Sequence, residues 1–183
     1  MPGEDFDFEK AGTELFSLFP QNIKVWGISR VQFANDMQVR TALMQNLNAG
    51  NLMVNYVGHG SVEVWRGNIF AAADAERLSN GSRLAFFVNM TCLNGFFQDV
   101  YTTSLAEELL KAPGGGAVAV WASSGLTEPD KQLLMNKALI RLLFNGEGLT
   151  IGEAAMRAKA ATGDQDIRRT WVLFGDPSTK LKD

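Results

Sequence analysis

The chain has 183 residues, 46% apolar and 20% charged, with a formal net charge of −3. This is the balance of one globular domain able to bury a full core. No long basic run invites nucleic acid, and no apolar run approaches the ~20 residues that span a membrane. Residues 1–20 mix Asp, Glu and Lys among the apolar positions, unlike a signal peptide.

In chain order, "IKVWGI" at 23–28 predicts a short strand. "ANDMQVRTALMQNLNAG" places Met37, Leu43, Met44 and Leu47 near helical spacing and predicts a stop at Gly50. "NLMVNYV" predicts a second strand and "RLAFFVNM" at 83–90 a third, apolar enough to be covered on both faces. "TTSLAEELLKAP" opens with a capping box, Ser104 with Glu107, and halts at Pro113. "GGAVAVWASSG" predicts a fourth strand. An amphipathic helix then runs from Pro129 in its first turn to Asn145-Gly146. "LTIGEAAMRAKAATG" carries a second capping box, Thr150 with Glu153, and "TWVLFG" predicts a last short strand. Alternating strands and helices imply an α/β layer fold with a mostly parallel sheet. In such sheets function gathers at the carboxyl ends of the strands.

Two predicted strands end in chemically suggestive turns, Gly58-His59-Gly60-Ser61 and Thr91-Cys92-Leu93-Asn94-Gly95. His59 and Cys92 are the only histidine and the only cysteine, so an internal disulfide and a Cys/His zinc cluster are both excluded. A lone cysteine is ordinarily a small buried hydrophobe, and a lone histidine an ordinary hydrogen-bonded residue. Here both follow apolar strands on one predicted sheet edge. If the strands are neighbours, about 5 Å apart, imidazole and thiol can meet, as nucleophilic catalysis requires. The N–H groups of Gly60 and Cys92 are then candidates for an oxyanion hole. Other signals are weaker. Gly114 to Gly116 precedes a strand instead of opening a helix, with no phosphate-loop lysine, and reads as a turn. "WASSG" lacks the leading glycine of a serine nucleophile elbow. No cofactor fingerprint is found, and no cofactor is expected.

"NYVGHGS" followed by "MTCLNGFF" resembles the gingipain-like cysteine peptidases, peptidase family C25, within the caspase-like group of folds. The resemblance continues through "SLAEELLKAPGGGAVAVWASSG", "LTIGEAAMRAKA" and "WVLFGDPS", and arguably takes in "DFDFEKAGTELFSLFP". It implies a three-layer caspase-like α/β fold. It also implies a cysteine endopeptidase working through a thioacyl intermediate, with Cys92 as nucleophile, His59 as general acid/base, and Gly60 and Cys92 as oxyanion donors. The stretch 121–125, with Trp121, Ser123 and Ser124, would wall the substrate pocket. The best-known members cut after Arg or Lys, using an acidic pocket residue upstream of the histidine. Here Glu4, Asp5 and Asp7 lie upstream, and none can be matched to that position.

The resemblance further implies peptide or protein substrates, and secretion or surface attachment. In the caspase-like fold the histidine strand is normally third in sequence, yet only residues 23–28 precede it here as a strand. The sheet is therefore expected to lack its first strand. Residues 1–183 then form a single catalytic domain or the C-terminal part of one, which either self-associates through the exposed sheet edge or is structurally compromised near its N-terminus. The alternatives are a CHAT-type or other non-catalytic caspase-like interaction module, an inactive fragment of a larger peptidase, or a small-molecule binding domain.

Overall fold

In the computed structural model, which describes residues 6–181, capping residues set most helix starts. α1 (Phe8–Phe16) begins on Asp7, whose carboxylate accepts the Lys10 N–H at 2.8 Å. Of the upstream acids, Asp7 is thus a helix cap, while Glu4 and Asp5 lie outside the described residues. α2 (Asp36–Ala49) begins on Asn35 and ends at Gly50, whose φ of 88° glycine adopts without strain. β1 (Met53–Val57) follows, then a small hairpin of β2 (Gly60–Ser61) and β3 (Val64–Trp65), and the short α3 (Ala72–Ala75). β4 (Ala85–Met90) leads to α4 (Leu105–Lys111), which carries the Ser104–Glu107 capping box. β5 (Ala117–Ser123), α5 (Pro129–Leu143), α6 (Ile151–Ala158) with the Thr150–Glu153 box, α7 (Gln165–Thr170) and β6 (Trp171–Gly175) complete the chain.

The main sheet has the order β1-β4-β5-β6. β1, β4 and β5 run parallel, and β6 closes the far edge antiparallel. Alternation along the strands divides the core into two faces. Phe87, Val120 and Ala122 meet Leu47, Leu78, Leu105 and Leu109 on the side of α2, α3 and α4. Phe86, Val88, Met90 and Trp121 meet Met135, Leu139, Ile151 and Ala154 on the side of α5 and α6. Every residue of β4 is buried, Asn89 included, as its almost wholly apolar run predicts for a strand covered on both sides. The fold is thus three-layered α/β with a mostly parallel sheet. Among the described residues, no helix is long and apolar enough to cross a membrane.

One predicted strand does not form. Residues 23–28 adopt no strand, and among the described residues no strand precedes β1. An extended segment becomes a strand only by pairing. Residues 23–28 and Asn51 to His59 both line an open cleft of about 920 Å³. Among the described residues the outer edge of β1 carries no ladder.

Candidate active site

β1 and β4 pair in parallel with Val57 opposite Met90, and the Gly58 N–H donates to the Met90 carbonyl at 3.3 Å. His59 and Cys92 each lie two residues beyond that last shared rung. Both turns leave the carboxyl edge of the sheet from neighbouring strands, the geometry on which the pairing of the two residues depended.

On the histidine side, the Tyr56 hydroxyl donates to the His59 carbonyl at 2.6 Å. Burial pushes this hydroxyl up to about 12, so it remains a donor across the neutral range. The edge of Phe8, at the start of α1, meets the His59 ring at 4.9 Å between centroids and 69°. Among the described residues no side chain hydrogen-bonds the imidazole, and the Phe8 ring packs against it. The Arg66 N–H donates to the His59 carbonyl at 2.9 Å. This makes Gly60 and Trp65 a non-hydrogen-bonded pair of the hairpin, and leaves the Gly60 N–H directed away from β3. A Cβ on Gly60 would stand 2.7 Å from Thr91 Oγ1. The His-Gly turn and the residue before Cys92 are therefore in close contact.

On the cysteine side, Cys92 is half-buried, and its thiol lies 3.7 Å from the Thr127 carbonyl and 3.8 Å from Thr127 Oγ1. The Cys92 N–H has no acceptor among the described residues. Leu93, next in sequence, has a φ of 61°, a left-handed conformation costly for a leucine. It is held by its N–H to the Gly125 carbonyl at 3.1 Å, with the Gly95 N–H to the Ser123 carbonyl at 2.9 Å alongside. Such strain is commonly stored at functional turns, where surrounding bonds over-determine it.

The stretch after β5 is only partly at this edge. Trp121 is not: it has no exposed surface, and its ring packs 5.1 Å from that of Trp171 in the core. Ser123 is buried, its hydroxyl donating to the Gly125 carbonyl at 3.0 Å. Ser124 is half-buried and donates to the Thr170 carbonyl at 3.0 Å. These serines shape the turn that braces Leu93, and the exposed face of the turn belongs to Leu126, 77% accessible. Among the described residues, no group of three or more His, Cys, Asp or Glu side chains is placed to hold a metal ion.

The sequence reading missed Tyr56, Trp65, Asn94 and Thr127. Tyr56 and Trp65 stack at 4.1 Å with planes 4° apart, and the Trp65 indole N–H donates to Asn94 Oδ1 at 2.9 Å. The available signal was weak: an aromatic two residues before Gly58, another four residues past Ser61, and an amide in the cysteine turn.

Comparison with known proteins gives a consistent pattern. The family model of peptidase family C25 matches residues 7–182. Gingipain R2 of Porphyromonas gingivalis is 31% identical over 155 residues, covering 76% of this chain and 21% of its own length. Gingipain R1 of the same species is equally similar, with 15% of its length matched. The chain thus spans well under half the length of the curated relatives it matches. The crystal structure of the Arg-specific cysteine proteinase gingipain R superposes with a TM-score of 0.76 at 25% identity, over 96% of this chain and 42% of that one. The complex of the pro- and mature domains of Porphyromonas gingivalis RgpB gives 0.77 at 23% identity, over 97% and 44%.

Proposed function

The chain belongs to peptidase family C25, and from that premise we propose that it is a cysteine endopeptidase in which Cys92 and His59 form the catalytic dyad. The observation that carries this reading is the parallel rung Val57–Met90, from which both turns depart side by side.

In the proposed reaction, Cys92 Sγ attacks the scissile peptide carbonyl and its proton passes to His59. The resulting oxyanion accepts the N–H groups of Gly60 and Cys92. Support for that role is the free Cys92 N–H and the outward Gly60 N–H; such donors are worth about 3 kcal/mol each in a tetrahedral intermediate. His59 then returns the proton to the leaving amine, leaving a thioacyl enzyme. Water attacks that thioester with His59 taking its proton, and the thiol leaves with the proton restored. The turn 123–125 and Leu126 wall the substrate side, with Ser123 and Ser124 setting the backbone of that wall and Trp121 supporting it from the core.

The same reading makes residues 1–183 a catalytic domain or the C-terminal part of one, acting on peptide or protein substrates in a secreted or surface-attached setting. Self-association through the outer edge of β1 also belongs to it, supported by the absence, among the described residues, of a strand paired to that edge; light scattering that finds only monomer at high concentration removes it. The central test is alkylation of Cys92 by a peptide chloromethyl ketone, with cleavage of fluorescein-labelled casein read in parallel. Alkylation should slow by at least about 10-fold in His59→Ala, and casein cleavage should vanish in Cys92→Ala. Equal alkylation in wild type and His59→Ala would leave a non-catalytic caspase-like module as the reading.

A further inference from the structure

The His59 and Cys92 turns are joined by one side chain that reaches from one to the other. Asn94 lies two residues past Cys92 and is fully buried. Its Oδ1 accepts the Trp65 indole N–H at 2.9 Å, and its Nδ2 donates to the Ser61 carbonyl. Each partner can play only one part, since an indole only donates and a carbonyl only accepts. The carboxamide is therefore read in a single orientation, which neither a hydroxyl nor a carboxylate reproduces at both ends.

The two partners lie one on each strand of the hairpin that His59 leads into. Ser61 is two residues past His59, and Trp65 stacks flat on Tyr56, whose hydroxyl holds the His59 carbonyl. Contact thus runs without a gap from the cysteine turn, through Asn94 and Trp65, to Tyr56 and the histidine backbone. The start of α4 clamps the same pair of turns: the Leu105 N–H donates to the Val62 carbonyl and the Ala106 N–H to the Asn94 carbonyl, both at 2.9 Å. The Asn94 backbone is consequently fixed, and the side chain does not follow the histidine turn by moving its own anchor.

From this we infer that Asn94 is a positioning residue that sets the separation of His59 from Cys92, acting through Ser61 and Trp65 without touching substrate. The inference rests on the dyad reading above. Among the described residues no side chain hydrogen-bonds the His59 imidazole, and Asn94 is the buried side chain that ties its own turn to both Ser61 and Trp65.

The test uses Asn94→Asp, which keeps the acceptor toward Trp65 but sets a carboxylate oxygen against the Ser61 carbonyl. The probe is iodoacetamide, which reports Cys92 alone because the chain has no other cysteine. Circular dichroism and melting establish that the variant is folded at the assay temperature. Alkylation is expected to fall by about 10- to 100-fold, toward the His59→Ala rate, as sub-ångström to ångström misplacement of reacting groups predicts. On fluorescein-casein, kcat should fall while KM stays nearly constant. The double variant Asn94→Asp/His59→Ala should react no more slowly than His59→Ala alone, because Asn94 works through the histidine. A merely structural role would lower the melting temperature without this loss of additivity.

Wild-type alkylation in folded Asn94→Asp, or a full additional loss in the double variant, overturns the inference and leaves the dyad intact. Identical rates in wild type and His59→Ala overturn the dyad, and the inference with it. If Asn94→Asp does not fold, Trp65→Phe takes its place. It keeps a ring on Tyr56, removes the indole donor, and is held to the same two outcomes.

Discussion

Gly60→Ala is the sharpest single perturbation of the site. A Cβ there would stand 2.7 Å from Thr91 Oγ1, 2.9 Å from the Val64 carbonyl oxygen and 3.1 Å from Thr91 Cγ2. Relaxing the first two to a contact of about 3.5 Å requires movements of about 0.8 and 0.6 Å. Neither neighbour yields easily. Val64 is main chain within the hairpin. Thr91 is fully buried, and as a β-branched residue with both γ atoms near the new methyl it has little rotamer freedom. The backbone at Gly60 is not left-handed, so the cost is overpacking, about 1–3 kcal/mol of unfolding free energy. The same movement opens the histidine turn away from the cysteine turn and should cut Cys92 alkylation by about 10-fold or more. Urea unfolding followed by tryptophan fluorescence reads the first quantity, and iodoacetamide kinetics the second. A variant within about 0.5 kcal/mol of wild type, with undiminished alkylation, would refute the close packing of the two turns.

Elsewhere the expectations are more ordinary. Leu139→Ala removes a fully buried side chain from the core between the sheet, α5 and α6, and should cost about 2–5 kcal/mol in chemical denaturation. Ser104→Ala deletes the buried α4 cap, which donates to Glu107 Oε2 at 2.8 Å, and should cost about 1 kcal/mol in the same assay. The Lys131 ammonium, followed by the Ile167 N–H, holds the Asp164 carboxyl below the usual carboxylate range. A depressed acid stabilises the fold above its unfolded pKa of about 3.9 and loses that contribution as pH falls through the folded value. Asp164→Asn should therefore flatten the acid limb of a melting-temperature profile, with the difference from wild type vanishing at the lowest pH.

Local chemistry made much of this molecule legible. The capping boxes at Ser104 and Thr150, the proline opening α5 and the glycine closing α2 each depend on a few neighbouring residues, and each occurs where the pattern put it. The almost wholly apolar run of β4 reads as a doubly covered strand, and it is one. Residues 23–28 had a claim by composition and failed, because a strand needs a partner edge and this segment pairs with none. Trp121 illustrates the converse. The family resemblance implied a pocket wall at Trp121, but strand alternation turns this side chain into the core against Trp171.

The ordered pair of turns after two apolar strands, carrying the only histidine and the only cysteine, was encoded in the sequence itself, since period and turn chemistry are local properties. Strand neighbourhood was not. That β1 lies beside β4, so that His59 and Cys92 leave the sheet from adjacent positions, follows from long-range packing of both faces. Only the tertiary structure could show that Asn94 bonds Ser61 and Trp65, roughly thirty residues away. An asparagine's two ends acquire meaning only when a donor and an acceptor are brought to it.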